Sequence, residues 1–96
     1  MEIHPSIQSD IGPLIDELQS KGFVVKTAYY DPACFGNCIV ELGNGHILIR
    51  MIRDRRVWEL DGTKALYEKF SLWKGFHLPQ EFCAQVLQSV DALIHG

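Results

Sequence analysis

Apolar residues at Ile7, Ile11, Leu14, Ile15 and Leu18 fall on one face of a 3.6-residue repeat. With Asp10 as N-cap and Pro13 in the first turn, this spacing predicts a helix over about Asp10–Lys21 that stops at Gly22. From Phe23 the chain becomes rich in β-branched and aromatic residues up to Asp31-Pro32, which predicts a first strand. A second strand is expected from about Asn37 to Leu42. Gly43-Asn44-Gly45 follows it, and Asn-Gly accepts the positive φ angles of a type I′ turn, so strands two and three should be antiparallel neighbours.

The third strand, His46 to about Arg53, places Ile47, Ile49 and Met51 on one face and His46, Leu48, Arg50 and Ile52 on the other. Arg53-Asp54-Arg55 is read as the tip of a second hairpin that returns through Val57-Trp58-Glu59-Leu60 and closes at Asp61-Gly62. Leu66, Tyr67, Phe70 and Trp73 then recur at helical spacing between Thr63, a candidate N-cap, and Gly75. Pro79 opens a last helix with the stripe Phe82, Val86, Leu87, Val90, Leu93 and Ile94. The expected architecture is one α+β domain over residues 1–96, with an N-terminal helix, a four-stranded antiparallel meander and two C-terminal helices packed on one face of the sheet.

Length and composition agree with that outline. A chain of 96 residues with 47% hydrophobic and 22% charged residues has the make-up of a single globular core. No apolar run approaches the ~20 residues that cross a bilayer, so no membrane association is expected. The N-terminus lacks the basic-then-apolar pattern of a leader, and three cysteines are too few and odd in number for a secreted disulfide framework. The expectation is a cytoplasmic protein with free thiols.

Charge changes the picture more. All four arginines, Arg50, Arg53, Arg55 and Arg56, lie within seven residues of an otherwise acidic chain of net charge −3. Arginine's planar fork suits carboxylates and phosphates, so this cluster with neighbouring Trp58 is the candidate partner-binding patch. The plainer alternative is a solvated hairpin paired with Asp54 or Glu59. Nucleic acid is disfavoured as a partner because the domain is acidic and carries no recognisable nucleic-acid motif.

Reactive constellations are sparse. Cys34 and Cys38, with His46, His77 and Cys83, could supply zinc ligands, but paired Cys-x-x-Cys knuckles are missing and no metal or cofactor is expected. Cys38 and Cys83 fit core positions, and Cys34 is the thiol expected to be accessible. Cysteine catalysis would need Cys34 beside His46 or His77 with an orienting group such as Asp31. Leu72, Trp73 and Phe76 offer an apolar ridge for a homodimer or partner contact.

Phe35-Gly36-Asn37, the alternating hairpin, the run Ile49-Arg50-Met51-Ile52-Arg53-Asp54-Arg55, and Trp58 beyond it resemble small bacterial proteins, some of them similar to immunity proteins of polymorphic toxin systems. The likeness covers roughly residues 10–60 and transfers no binding residue. It implies a cytoplasmic, non-enzymatic protein that binds and blocks one toxin domain, aided by charge complementarity. The alternatives are a small enzyme or ligand-binding domain using Cys34 and a histidine, and a homo-oligomeric structural module.

Overall fold

The structure, a computed structural model, describes residues 2–34, 36–66 and 75–95. In chain order it contains α1 (Pro5–Ser20), β1 (Val24–Asp31), β2 (Asn37–Gly43), β3 (Leu48–Asp54), β4 (Val57–Gly62) and α2 (Pro79–His95). The strands form one antiparallel meander in the order β1-β2-β3-β4. Residues 64–66 are helical, whereas the expected remainder of that helix, through Lys74, lies outside the described residues. This is the expected α+β arrangement.

Helix α1 starts one and a half turns earlier than its periodicity suggests. His4 is its N-cap, its Nδ1 accepting from the Ser6 N–H at 3.0 Å, and Pro5 occupies the first turn, where a missing N–H costs nothing. Asp10 therefore caps nothing and sits within the helix. Pro13 leaves its mark as a kink: its ring conflicts with the carbonyl of Ser9, and Ile11 departs from helical geometry at φ −130° and ψ 15°. The buried stripe is nevertheless the expected one, Ile7, Ile11, Leu14, Ile15 and Leu18.

Strict alternation in β2, β3 and β4 sorts the sheet into two faces. Cys38, Val40, Leu42, Ile49, Met51, Trp58 and Leu60 point into the core with the stripes of α1 and α2. Arg50 stands on the opposite face, between Glu41 on β2 and Asp61 on β4, at 3.9 and 3.7 Å. Opposite charges directly across neighbouring strands favour this register, although at this exposure each pair adds only a few tenths of a kcal/mol to about 1 kcal/mol.

Neither hairpin turns as expected. Gly43-Asn44-Gly45 does not make the tight Asn-Gly turn. A four-residue loop forms instead, in which Asn44 Oδ1 accepts from the N–H groups of His46 at 2.9 Å and Ile47 at 2.7 Å, so the side chain replaces a backbone turn. The two-residue turn is at Arg55-Arg56, between Asp54 and Val57, with φ of 53° and 68°. Both central residues at positive φ is the requirement of a type I′ turn. The hairpin tip is thus shifted by one residue from the expected Arg53-Asp54-Arg55, and Arg53 belongs to β3. Thr63 likewise works across the sheet edge, its Oγ1 accepting from the Leu48 N–H at 2.7 Å.

Candidate functional site

Continuing the alternation of Ile49 and Met51 by one step carries Arg53 onto the core face, at 8% exposure. A guanidinium there must find acceptors, and it does. Nη1 donates to Asp10 Oδ2 at 2.9 Å, Nη2 to Ser6 Oγ at 2.9 Å and to the Gly36 carbonyl at 2.6 Å, and Nε to the same carbonyl at 3.1 Å. Its carbon lies 5.6 Å from the centroid of the Trp58 ring, and Trp58 Nε1 donates to Asp10 Oδ2 at 3.0 Å. One arginine therefore ties α1, the β1–β2 loop and β4 together. Gly36 makes this possible: at φ +71°, a Cβ there would lie 3.1 Å from the Tyr30 hydroxyl and 3.5 Å from Arg53 Nη2.

Of the expected patch, Trp58 is fully buried, Arg53 is internal, and Arg50 lies on the opposite face between two acids. Arg55 and Arg56 alone are exposed. Alternation is the cause: a strand cannot present residues 50 and 53 to the same side. The five residues do not form one surface.

The same end of the sheet holds a cleft of about 460 Å³ that the sequence reading did not assemble. The floor is Asp10 and Arg53; Ser6 of α1, Tyr30 at the end of β1 and Gly36 form one side, and Arg56 with His77 and Pro79 the other. Tyr30 is held in place by His4, stacked on it at 3.6 Å between ring centroids. His77 and Pro79 are brought in by Phe76, which exchanges backbone hydrogen bonds with Trp58 at 2.8 Å in both directions and packs on Phe82. The signal that could have found this floor is an acid, Asp10, on the apolar side of α1 matched by an arginine on the apolar side of β3.

The thiols separate by environment. Cys34 is exposed and lines a second hollow, of about 280 Å³, with Tyr29, Asn37, Ile39, Ile52 and Asp54 on the sheet's other face. No histidine lines that hollow, His77 belongs to the first cleft, and His46 sits in the loop at the opposite end of the sheet. The Cys34–histidine pairing is therefore not assembled. Among the described residues no three His, Cys, Asp or Glu side chains gather as a metal site. Of the apolar ridge, Leu72 and Trp73 lie outside the described residues, and Phe76 is half-buried against Phe82.

Burial pushes the Cys38 thiol up, and pushes that of Cys83 to about 11, with Asp10 nearby adding to the effect. An alkylating reagent at pH 8 is expected to modify Cys34 in the folded chain and to reach Cys38 and Cys83 only after denaturation; intact-mass detection of rapid double labelling would contradict this. The folded state keeps the Cys83 proton where an unfolded thiol near 9 releases it. That contribution to stability is complete below about pH 9 and disappears as pH rises through about 11.

No family model, no curated protein and no solved structure matches the chain. No helix among the described residues is long and apolar enough to cross a membrane.

Proposed function

We propose that this is a non-enzymatic binding protein, of the immunity type, that engages an acidic surface of a partner toxin domain through the Arg55-Arg56 turn. The observation that carries the reading is the backbone of that turn. Both arginines adopt positive φ, a conformation that costs a non-glycine residue on the order of 1 kcal/mol or more, where Asn-Gly would sit without strain. Neither guanidinium meets a carboxylate within ion-pair distance among the described residues. Strain retained for two unpaired, exposed cations is what a contact site requires and what stability alone would remove. The turn is held from the side by Asn37, whose Oδ1 accepts from the Arg55 N–H at 3.0 Å and whose Nδ2 donates to Asp54 at 3.0 Å. This anchors the backbone of the turn from which the two side chains extend.

The double substitution Arg55→Asn/Arg56→Gly separates the two roles. Stability should rise by about 1–2 kcal/mol in urea denaturation as the strain is relieved. Binding should fall at the same time. Affinity purification of the tagged chain from its native cells should recover a stoichiometric partner with the parent protein and not with the variant, with retention weakening as salt rises. Expression of that partner alone should arrest growth, and co-expression of the chain should restore it. A partner held equally by the variant would refute the turn as the contact, and a harmless partner would refute the immunity role.

A further inference from the structure

The cleft beside the turn has a chemical character of its own. Arg53 is neutralised by Asp10, but Arg56 lines the same space with no carboxylate paired to it among the described residues, so Asp10, Arg53 and Arg56 sum to one positive charge. The lining also carries several hydrogen-bond donors with nothing to give to among the described residues. Ser6 Oγ receives a bond from Arg53 and keeps its own O–H to give. The Tyr30 hydroxyl, the His77 ring and the Arg56 guanidinium have no hydrogen-bond partner among the described residues. The one carboxylate oxygen in the lining left without a partner among the described residues is Asp10 Oδ1.

Donors of different types, converging from α1, β1, the β3–β4 turn and the segment before α2, are what a group of several oxygens with negative charge would satisfy. We propose that this cleft is a binding site for a small oxyanion-bearing molecule, a carboxylate or a phosphate ester, gripped by the Arg56 fork and by the hydroxyls of Tyr30 and Ser6. The rigid floor favours the assignment. Arg53 is locked by four hydrogen bonds, two of which also pin the Gly36 carbonyl, and Tyr30 by its stack on His4, so ordering the site for a ligand costs little conformational entropy. A volume of about 460 Å³ holds the anionic group together with a few more atoms, for which Pro32 and Pro79 supply apolar walls.

The test uses the isolated full chain and amide-resolved NMR titrations with inorganic phosphate, phenyl phosphate and succinate, each against chloride at matched ionic strength. Saturable shifts are expected at Gly36, Arg56 and His77, with phosphate and succinate deciding between the two oxyanion classes. Arg56→Gln should weaken the better ligand about tenfold or more, and Tyr30→Phe several-fold. Lys26→Gln, which removes the same charge from exposed β1, should leave the affinity unchanged. The amide spectrum of each variant reports directly that it is folded. Shifts that chloride reproduces, that fail to saturate, or that survive Arg56→Gln would overturn the assignment. Because no partner protein is present, that failure leaves the role of the Arg55-Arg56 turn in partner binding to be judged on its own experiment.

Discussion

Arg53→Leu is expected to lower stability by about 3 kcal/mol, with a fall in Tm of roughly 12–24 °C for a chain of this size. The side chain is 10% exposed and its carboxylate partner 26%, so the pair is largely dry yet not sealed from water. The estimate therefore takes the low end of the range for breaking a buried ion pair. Leucine would fill part of the volume but leave Asp10 with only the Trp58 N–H and strip the Gly36 carbonyl of both its donors. Arg53→Lys should recover only part of the loss, because an ammonium cannot reach Asp10 on one side and Gly36 on the other with a planar fork. The decisive comparison adds Asp10→Asn to Arg53→Leu. Removal of the stranded charge should restore about 1–2 kcal/mol, a coupling that a loss of packing alone would not produce. Denaturation curves showing Arg53→Leu within 1 kcal/mol of the parent would mean that the network holds nothing together.

The sheet and its faces were legible because alternation is a strong signal: Ile49 and Met51 inward, Leu48, Arg50 and Ile52 outward, as observed. Turn chemistry was less so. Asn44-Gly45 has the better intrinsic preference for a tight turn, but pairing Leu42 with Ile49 leaves four residues between β2 and β3, and pairing Arg53 with Trp58 and Asp54 with Val57 leaves only the two arginines between β3 and β4. Core packing of the strands outweighed the local preference. The same rule, carried one residue further, would have turned Arg53 inward and removed it from the surface patch. Apart from the Asp10–Arg53 floor, the cleft was not legible, since Ser6 of α1, Tyr30 of β1, Arg56 of the β3–β4 turn and His77 before α2 come from separate elements and no local pattern records their meeting. Asp10 lies 43 residues from Arg53 and 48 from Trp58, and only the packing of α1 on the sheet brings them within hydrogen-bonding distance.

Trp58→Ala should be the most damaging single substitution, at about 3–5 kcal/mol, as expected for truncating a fully buried aromatic. Its indole stacks on Phe82 of α2 at 5.4 Å, flanks the Arg53 guanidinium and donates to Asp10 of α1, so one side chain joins both helices to β4. Trp58→Phe divides this total. It retains most of the contact with Phe82 but loses the N–H and much of the attraction for the cation, which should cost about 1.5–2.5 kcal/mol. The polar share is testable by repeating Trp58→Phe in the Asp10→Asn background, where the bond to a charged acceptor is already gone and the penalty should shrink by about 1 kcal/mol. The backbone pairing of Trp58 with Phe76 does not depend on the indole, so Trp58→Phe should leave His77 and Pro79 in place and an oxyanion affinity within about twofold of the parent. If Trp58→Phe instead abolished anion binding in a chain that still folds, the wall of the cleft would be set by the indole and not by the Trp58–Phe76 bridge.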